Sequence, residues 1–222
     1  EEAYKENLDA IKVADVTDTN RLVMKWRGET IVDMSRAFLD TNGVRQHQVV
    51  DVCENEYDEH PFDAVKSDLN TVLQDANVAS QIGLAEMFDA SIGKSTVLMP
   101  FGGKYQLTPE EGSVQKLPVH GMTNTCSVMT YGYDPKVSKY SPYLGASYSV
   151  VEALARVTAL GADYKKCRLS NQEYFEHLDA DAQKWGQPFE ALLGLIDAQL
   201  AFETPSIGGK DSMSGTYKDI HV

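Results

Sequence analysis

The sequence predicts a mixed fold of the α/β or α+β class, and three observations carry that prediction. Strand-like runs rich in Thr, Val and Tyr, such as STVLMP and NTCSVMTYGYD, alternate with helical patterns. Two of those patterns are long, one from Ser141 to Gly161 and one from about 188 to 202, with apolar residues at helical spacing. Finally, 222 residues with 42% apolar and 24% charged content suit one large globular domain, or one plus a fragment of another.

Taken in order, residues 1–10 (EEAYKENLDA) read as the tail of a helix. IKVADVT, RLVMKW and TIVDM follow as three short strands, parted by the turn residues Asp18-Thr19-Asn20 and Arg27-Gly28-Glu29. Two or three strands alone are marginal in water, so residues 1–45 read as the end of a domain. The acidic, aperiodic stretch 46–60 reads as a linker, and a second domain is expected over 61–222.

Pro61 is placed to open a helix with Phe62, Val65, Leu69, Val72 and Leu73 on one side. A short helix over 80–88 precedes the strand STVLMP, the loop FGGKYQLTPEEG and the strands SVQKLPV and NTCSVMTYGYD. Phe101-Gly102-Gly103-Lys104 within that loop is either a substrate-facing loop or a structural hairpin. Ser141-Pro142 supplies a cap and a first-turn proline for the next helix. Its stripe is Leu144, Tyr148, Val151, Leu154 or Ala155, and Leu160, and Gly161 stops it. A polar helix is expected over 171–178. A final one begins near Pro188, carries Phe189, Leu192, Leu193, Ile196 and Leu200 as its stripe, and ends before Pro205.

Composition also bounds function. A net charge of −13 argues against a nucleic-acid partner, which needs a positive surface, but not against a nucleotide held by a local cluster. No apolar run approaches the roughly 20 residues of a membrane span, and no basic-then-apolar signal opens the chain. A cytoplasmic protein without a membrane partner is therefore expected. Cys53, Cys126 and Cys167 are odd in number and far apart, which disfavours a disulfide framework or zinc site. His47, His60, His120, His177 and His221 are scattered, and no nucleophilic triad or catalytic residue can be assigned.

The remaining chemistry concentrates in PSIGGKDSMSGTY, residues 205–217. Gly208 and Gly209 permit positive φ, so backbone N–H groups could converge on an anion. Lys210 offers a mobile charge, Ser212 and Ser214 offer hydroxyls, and Asp211 could hold Mg²⁺ directly or through water. The stretch is not a Walker A loop, because the first glycine is absent and Asp follows the Lys. A plain glycine turn is the alternative.

PSIGGKDSMSGTY, GLAEMFDASIGKSTVLMPFGGKYQLTPEEGSVQKLPV and VADVTDTNRLVMKWRGETIVDMSRAFLDTNG closely resemble the phosphoribosylformylglycinamidine synthases, amidotransferases of purine biosynthesis. The resemblance implies an internal fragment of a longer polypeptide. It also implies an aminoimidazole-ribonucleotide-synthetase-like N-terminal half domain, with a mixed sheet packed on helices. The tail of a C-terminal-half-like domain would precede it. In that family ATP activates the formamide oxygen of formylglycinamide ribonucleotide, and ammonia from glutamine displaces the phosphate to give the amidine. Implied ligands are ATP or ADP with Mg²⁺, bound at Gly208, Gly209, Lys210, Asp211 and Ser212.

Family metal ligands, carried over by position, fall on Glu152, Arg156 and a residue at or beside Thr125. Only the first is a carboxylate here, and a spacing of four pairs Arg156 with Glu152 on one helix face. Glu152 is thus either a metal ligand or half of a salt bridge. Implied partners are the catalytic synthetase half and the glutaminase domain of the same polypeptide, and the fragment alone is expected to be inactive. The competing expectation is a non-catalytic scaffold whose exposed sheet pairs with the catalytic half, or with a second copy as a homodimer.

Overall fold

RLVMKW and TIVDM pair as an antiparallel hairpin, β1 (Arg21–Trp26) with β2 (Glu29–Ser35). The two residues between them, Arg27 and Gly28, have φ of 50° and 90°, the left-handed pair that a tight hairpin turn requires. The computed structural model describes residues 1–41, 43, 45–52, 68–76, 78–89 and 93–221. Contacts divide the chain into two units, Glu1–Gln48 and Val49–Val222.

In the first unit the N-terminal helix is only α1 (Glu2–Lys5), and the hairpin is followed by α2 (Arg36–Leu39), capped by the Ser35 hydroxyl. The strand expected at IKVADVT does not form. Ile11, Val13 and Val16 stay exposed, and no described strand lies beside them to share backbone hydrogen bonds. The meander therefore has two strands.

The second unit opens with α3 (Leu69–Gln74), whose cap is Asp68, accepting from the N–H groups of Asn70 and Thr71. The start expected at Pro61 lies outside the described residues. Next, α4 (Ile82–Leu84) runs into a π turn, Ala85–Asp89. An antiparallel sheet follows in the order β3 (Thr96–Leu98), β6 (Gly112–Lys116), β7 (Cys126–Thr130). Between β3 and β6 the PFGGKYQLTP stretch folds into the small hairpin β4 (Phe101–Gly102) with β5 (Thr108–Pro109). Phe101–Lys104 lies in this hairpin, with Gly103 at a φ of 78° in its turn.

α5 (Pro135–Tyr140) leads into α6 (Pro142–Ala159), and Ser141, fully buried, caps the latter by accepting from Leu144 N–H. α7 runs Ala182–Phe202 and not from Pro188, because Asp181 caps it by accepting from Gln183 and Lys184 N–H. Pro188, inside the helix, forfeits one backbone bond and crowds the preceding turn, a cost larger than the cap alone offsets, so the packing of α7 on α6 helps carry the helix through it.

The two long helices pack against each other through Val150, Leu154, Leu195 and Ala198, with Ala146, Tyr164, Cys167, Leu169 and Phe202 around them. Gly194 and Ser147 make the crossing close, and the Ser147 hydroxyl donates to Gly194 O at 3.1 Å. Helices that approach through small residues bury their small faces. On α7 the buried residues are Gly186, Pro188, Glu190, Ala191, Gly194, Leu195 and Ala198. The expected stripe, Phe189, Leu192, Leu193, Ile196 and Leu200, is exposed instead, as are Tyr148 and Val151 on α6.

The largest departure is at 169–174. The polar helix expected there is a strand, β8 (Leu169–Tyr174), parallel to β9 (Ser206–Ser212), and α7 is the crossover between them. Burial alternates along β8 with the period of two that a strand shows. Beyond β9 comes the hairpin β10 (Thr216–Tyr217) with β11 (Ile220–His221).

Candidate functional site

GGKDS is a strand and not a glycine loop. Neither Gly208 nor Gly209 has positive φ, and both lie in the parallel ladder opposite Ser170 and Asn171. In an extended strand successive N–H groups point to opposite edges, so they cannot converge on one anion as a nest does. The two glycines serve other needs. A Cβ at Gly209 would drive into the carbonyl oxygen of Asn171, whereas one at Gly208 would meet open space.

Alternation divides the five expected site residues between the two faces of the sheet. Gly208, Lys210 and Ser212 share one face with their register partners Ser170, Gln172 and Tyr174. Lys210 Nζ lies 5.4 Å from the Tyr174 ring centroid, the Tyr174 hydroxyl donates to Gln172 Oε1 at 3.2 Å, and Ser212 Oγ is 3.2 Å from Ser214 Oγ. Among the described residues Lys210 makes no ion pair. This face presents a cation, hydroxyls and an aromatic ring to solvent.

Gly209 and Asp211 share the opposite face with Asn171 and Glu173, continuing from the core residue Leu169. Glu173 and Asp211 are register partners. Burial, reinforced by the neighbouring Asp211 charge, pushes the Glu173 carboxyl above its ordinary range. The folded state therefore holds the Glu173 proton more tightly than the unfolded chain does. Its contribution is most favourable in acid and is lost as pH rises through the raised value. Glu173→Gln should make the chain more stable at neutral pH and flatten this part of the pH profile, measured as urea midpoints from acid to neutral pH.

Glu152 and Arg156 stand one turn apart on α6 and pair, with Nη2 2.8 Å from Oε1. The other Glu152 oxygen accepts from Tyr133 N–H at 2.8 Å. Arg156 also donates from Nε and Nη2 to both oxygens of Glu111, each at 3.0 Å, and from Nη1 to the Tyr131 carbonyl at 2.7 Å. Its guanidinium carbon lies 4.6 Å from the Tyr131 ring centroid. Thr125 precedes β7, with its N–H donating to Thr123 Oγ1 and its carbonyl accepting from Leu117.

These residues do not fit a bound Mg²⁺ at Glu152, because a fixed cation already neutralises that carboxylate. Among the described residues no three His, Cys, Asp or Glu side chains group as metal ligands. The salt-bridge alternative for Glu152 is the one that forms. Cys126 and Cys167 are free and half-buried, and Cys53 lies outside the described residues. No described helix is long and apolar enough to cross a membrane.

Sequence reasoning missed Glu111, Gln172, Glu173 and Tyr174. Glu111 is tied to Arg156 across 45 positions, a separation that no local pattern reports. The alternation in LSNQEY was the available signal for the other three, masked by its polar composition.

No protein-family profile matches the chain. Among curated proteins, it is 27% identical over 214 residues to phosphoribosylformylglycinamidine synthase subunit PurL of Parafrankia sp., covering 91% of this chain and 26% of that protein. PurL of Methanothermobacter thermautotrophicus is 27% identical over 221 residues, covering 98% of this chain and 29% of its own length. Two solved Thermotoga maritima structures share the fold. PurL complexed with ATP has a TM-score of 0.64 at 14% identity, over 91% of this chain and 29% of that one. PurLQS has a TM-score of 0.68 at 14% identity, over 93% and 30%. The chain is thus homologous, over nearly all of its own length and under a third of theirs, to the PurL subunit of phosphoribosylformylglycinamidine synthase.

Proposed function

We propose that the chain works as part of an ATP-dependent amidotransferase of purine biosynthesis, in the cytoplasm, turning formylglycinamide ribonucleotide into the amidine with glutamine. Its contribution is a nucleotide-binding surface rather than the catalytic centre, and alone it is inactive. The observation that carries this is the exposed β8–β9 face, where Lys210, with no carboxylate partner among the described residues, stands beside Ser212, Tyr174 and the open backbone of Gly208. A lysine supplies a point charge to phosphate, a hydroxyl donates to its oxygens, and an aromatic ring can carry a base. Gly209 and Asp211, on the other face, shape the sheet instead. Solved PurL structures complexed with ATP, ADP and formylglycinamide ribonucleotide (FGAR) make nucleotide the natural ligand class.

The rest of the amidotransferase is the partner, since this chain spans only 26–29% of its curated relatives. The exposed stripe Phe189, Leu192, Leu193, Ile196 and Leu200 on α7 is the surface which that partner covers. Unit Glu1–Gln48 is the end of a preceding C-terminal-half-like domain in this reading.

Calorimetric titration of ATP and ADP into the 222-residue chain, with and without Mg²⁺, tests the nucleotide surface. Saturable binding is expected. Silence from a folded, nucleotide-free chain would instead favour a scaffold, which the exposed outer residues of β7, Met129 and the adjoining Tyr131, also suit. A scaffold with that uncovered surface should self-associate by light scattering.

A further inference from the structure

Four oxygens from two carboxylates and one carbonyl close around the Arg156 guanidinium. Glu152 Oε1 is 2.8 Å and Glu111 Oε1 3.0 Å from the same nitrogen, Nη2, Glu111 Oε2 is 3.0 Å from Nε, and the Tyr131 carbonyl is 2.7 Å from Nη1. They come from α6, from the turn before β6 and from the residue after β7. Hard oxygen donors gathered in this way are what a divalent cation takes. Here a guanidinium sits at their centre, with one positive charge against two negative.

We propose that Arg156 is a tethered substitute for a divalent cation. It holds Glu111 and Glu152 together without metal, and replacing it with a neutral side chain opens a divalent-cation site between them. Exposure supports the second step. The Arg156 side chain is 16% exposed, so the cation is largely enclosed, whereas Glu111 is 60% exposed. The oxygens stand 2.7–3.0 Å from the guanidinium nitrogens, farther than the roughly 2.3–2.6 Å at which they would coordinate a calcium-like ion directly. Glu111 is the ligand free to swing inward by that difference. Glu152 is held in place by Tyr133 N–H.

Mn²⁺ uptake, read from the paramagnetic signal of the free ion, tests this on the 222-residue chain with no nucleotide present, so the outcome is independent of the nucleotide surface. Wild type should show no uptake that Glu152→Gln removes. Arg156→Gln should bind about one Mn²⁺ per chain, about tenfold or more tighter than wild type, and melt at higher temperature with the ion than without it. Adding Glu152→Gln to that variant should abolish both effects. Should Arg156→Gln unfold without metal, Mn²⁺ must restore its folding. Glu152-dependent uptake by wild type would overturn the proposal. So would an Arg156→Gln variant that takes up no more ion than wild type, or that Mn²⁺ cannot refold.

Discussion

Gly194→Ala should destabilise the Val49–Val222 unit by about 3 kcal/mol or more, a large part of the stability of a typical domain. A Cβ there would drive into the backbone carbonyl oxygen of Tyr143, on the facing helix α6, and also crowd Ser147 Oγ. Backbone cannot rotate away as a flexible side-chain tip can, so the helices must separate. Separation breaks the bond from Ser147 Oγ to Gly194 O and the 2.6 Å bond from the Tyr143 hydroxyl to Asp197. It also opens the cluster of Val150, Leu154, Leu195 and Ala198. Gly208→Ala is the control. Its Cβ meets nothing within 4 Å and its φ is not positive, so its urea midpoint should equal or slightly exceed wild type. Equal midpoints for the two variants would mean that α6 and α7 do not cross at Gly194.

Arg156→Ala should cost about 2 kcal/mol. Loss of the guanidinium strands Glu152, removes a donor from the Tyr131 carbonyl and forfeits the stacking on the Tyr131 ring. The cost stays below that of breaking a fully buried pair because Glu111 is mostly exposed and can turn to water. Glu111→Ala should accordingly cost much less. Denaturant midpoints of the two variants check the order, and a Glu111→Ala loss as large as that of Arg156→Ala would contradict it.

Much of the second unit was legible because its signals are local. Ser141-Pro142 fixed the start of α6 through a capping hydroxyl and a first-turn proline, and Gly161, at a φ of 87°, marks where it stops. Pairing Arg156 with Glu152 followed from helical spacing alone. Failures occurred where a distant partner decides the outcome. β8 and β9 are separated by a whole helix, and a parallel strand gains its hydrogen bonds from residues that no short window contains. The same limit made a glycine pair look like a turn, when Gly209 exists to let Asn171 approach. On α7 the apolar stripe was legible as a pattern, but it does not form the core. The small residues Ala191, Gly194 and Ala198, buried with Leu195, give a closer helix crossing, and the large stripe is left outward. IKVADVT has strand composition but no described neighbour to pair with.

The central claim is that nucleotide is held on the Lys210 face of β9 and not on the Asp211 face. ATP affinity of Lys210→Ala set beside that of Asp211→Asn, both confirmed as folded, tests it most directly. Lys210→Ala should weaken ATP by about tenfold or more, the scale of one charge-assisted contact to phosphate. Asp211→Asn should leave affinity within about twofold of wild type. Equal losses in the two variants, or a loss confined to Asp211→Asn, would contradict the account.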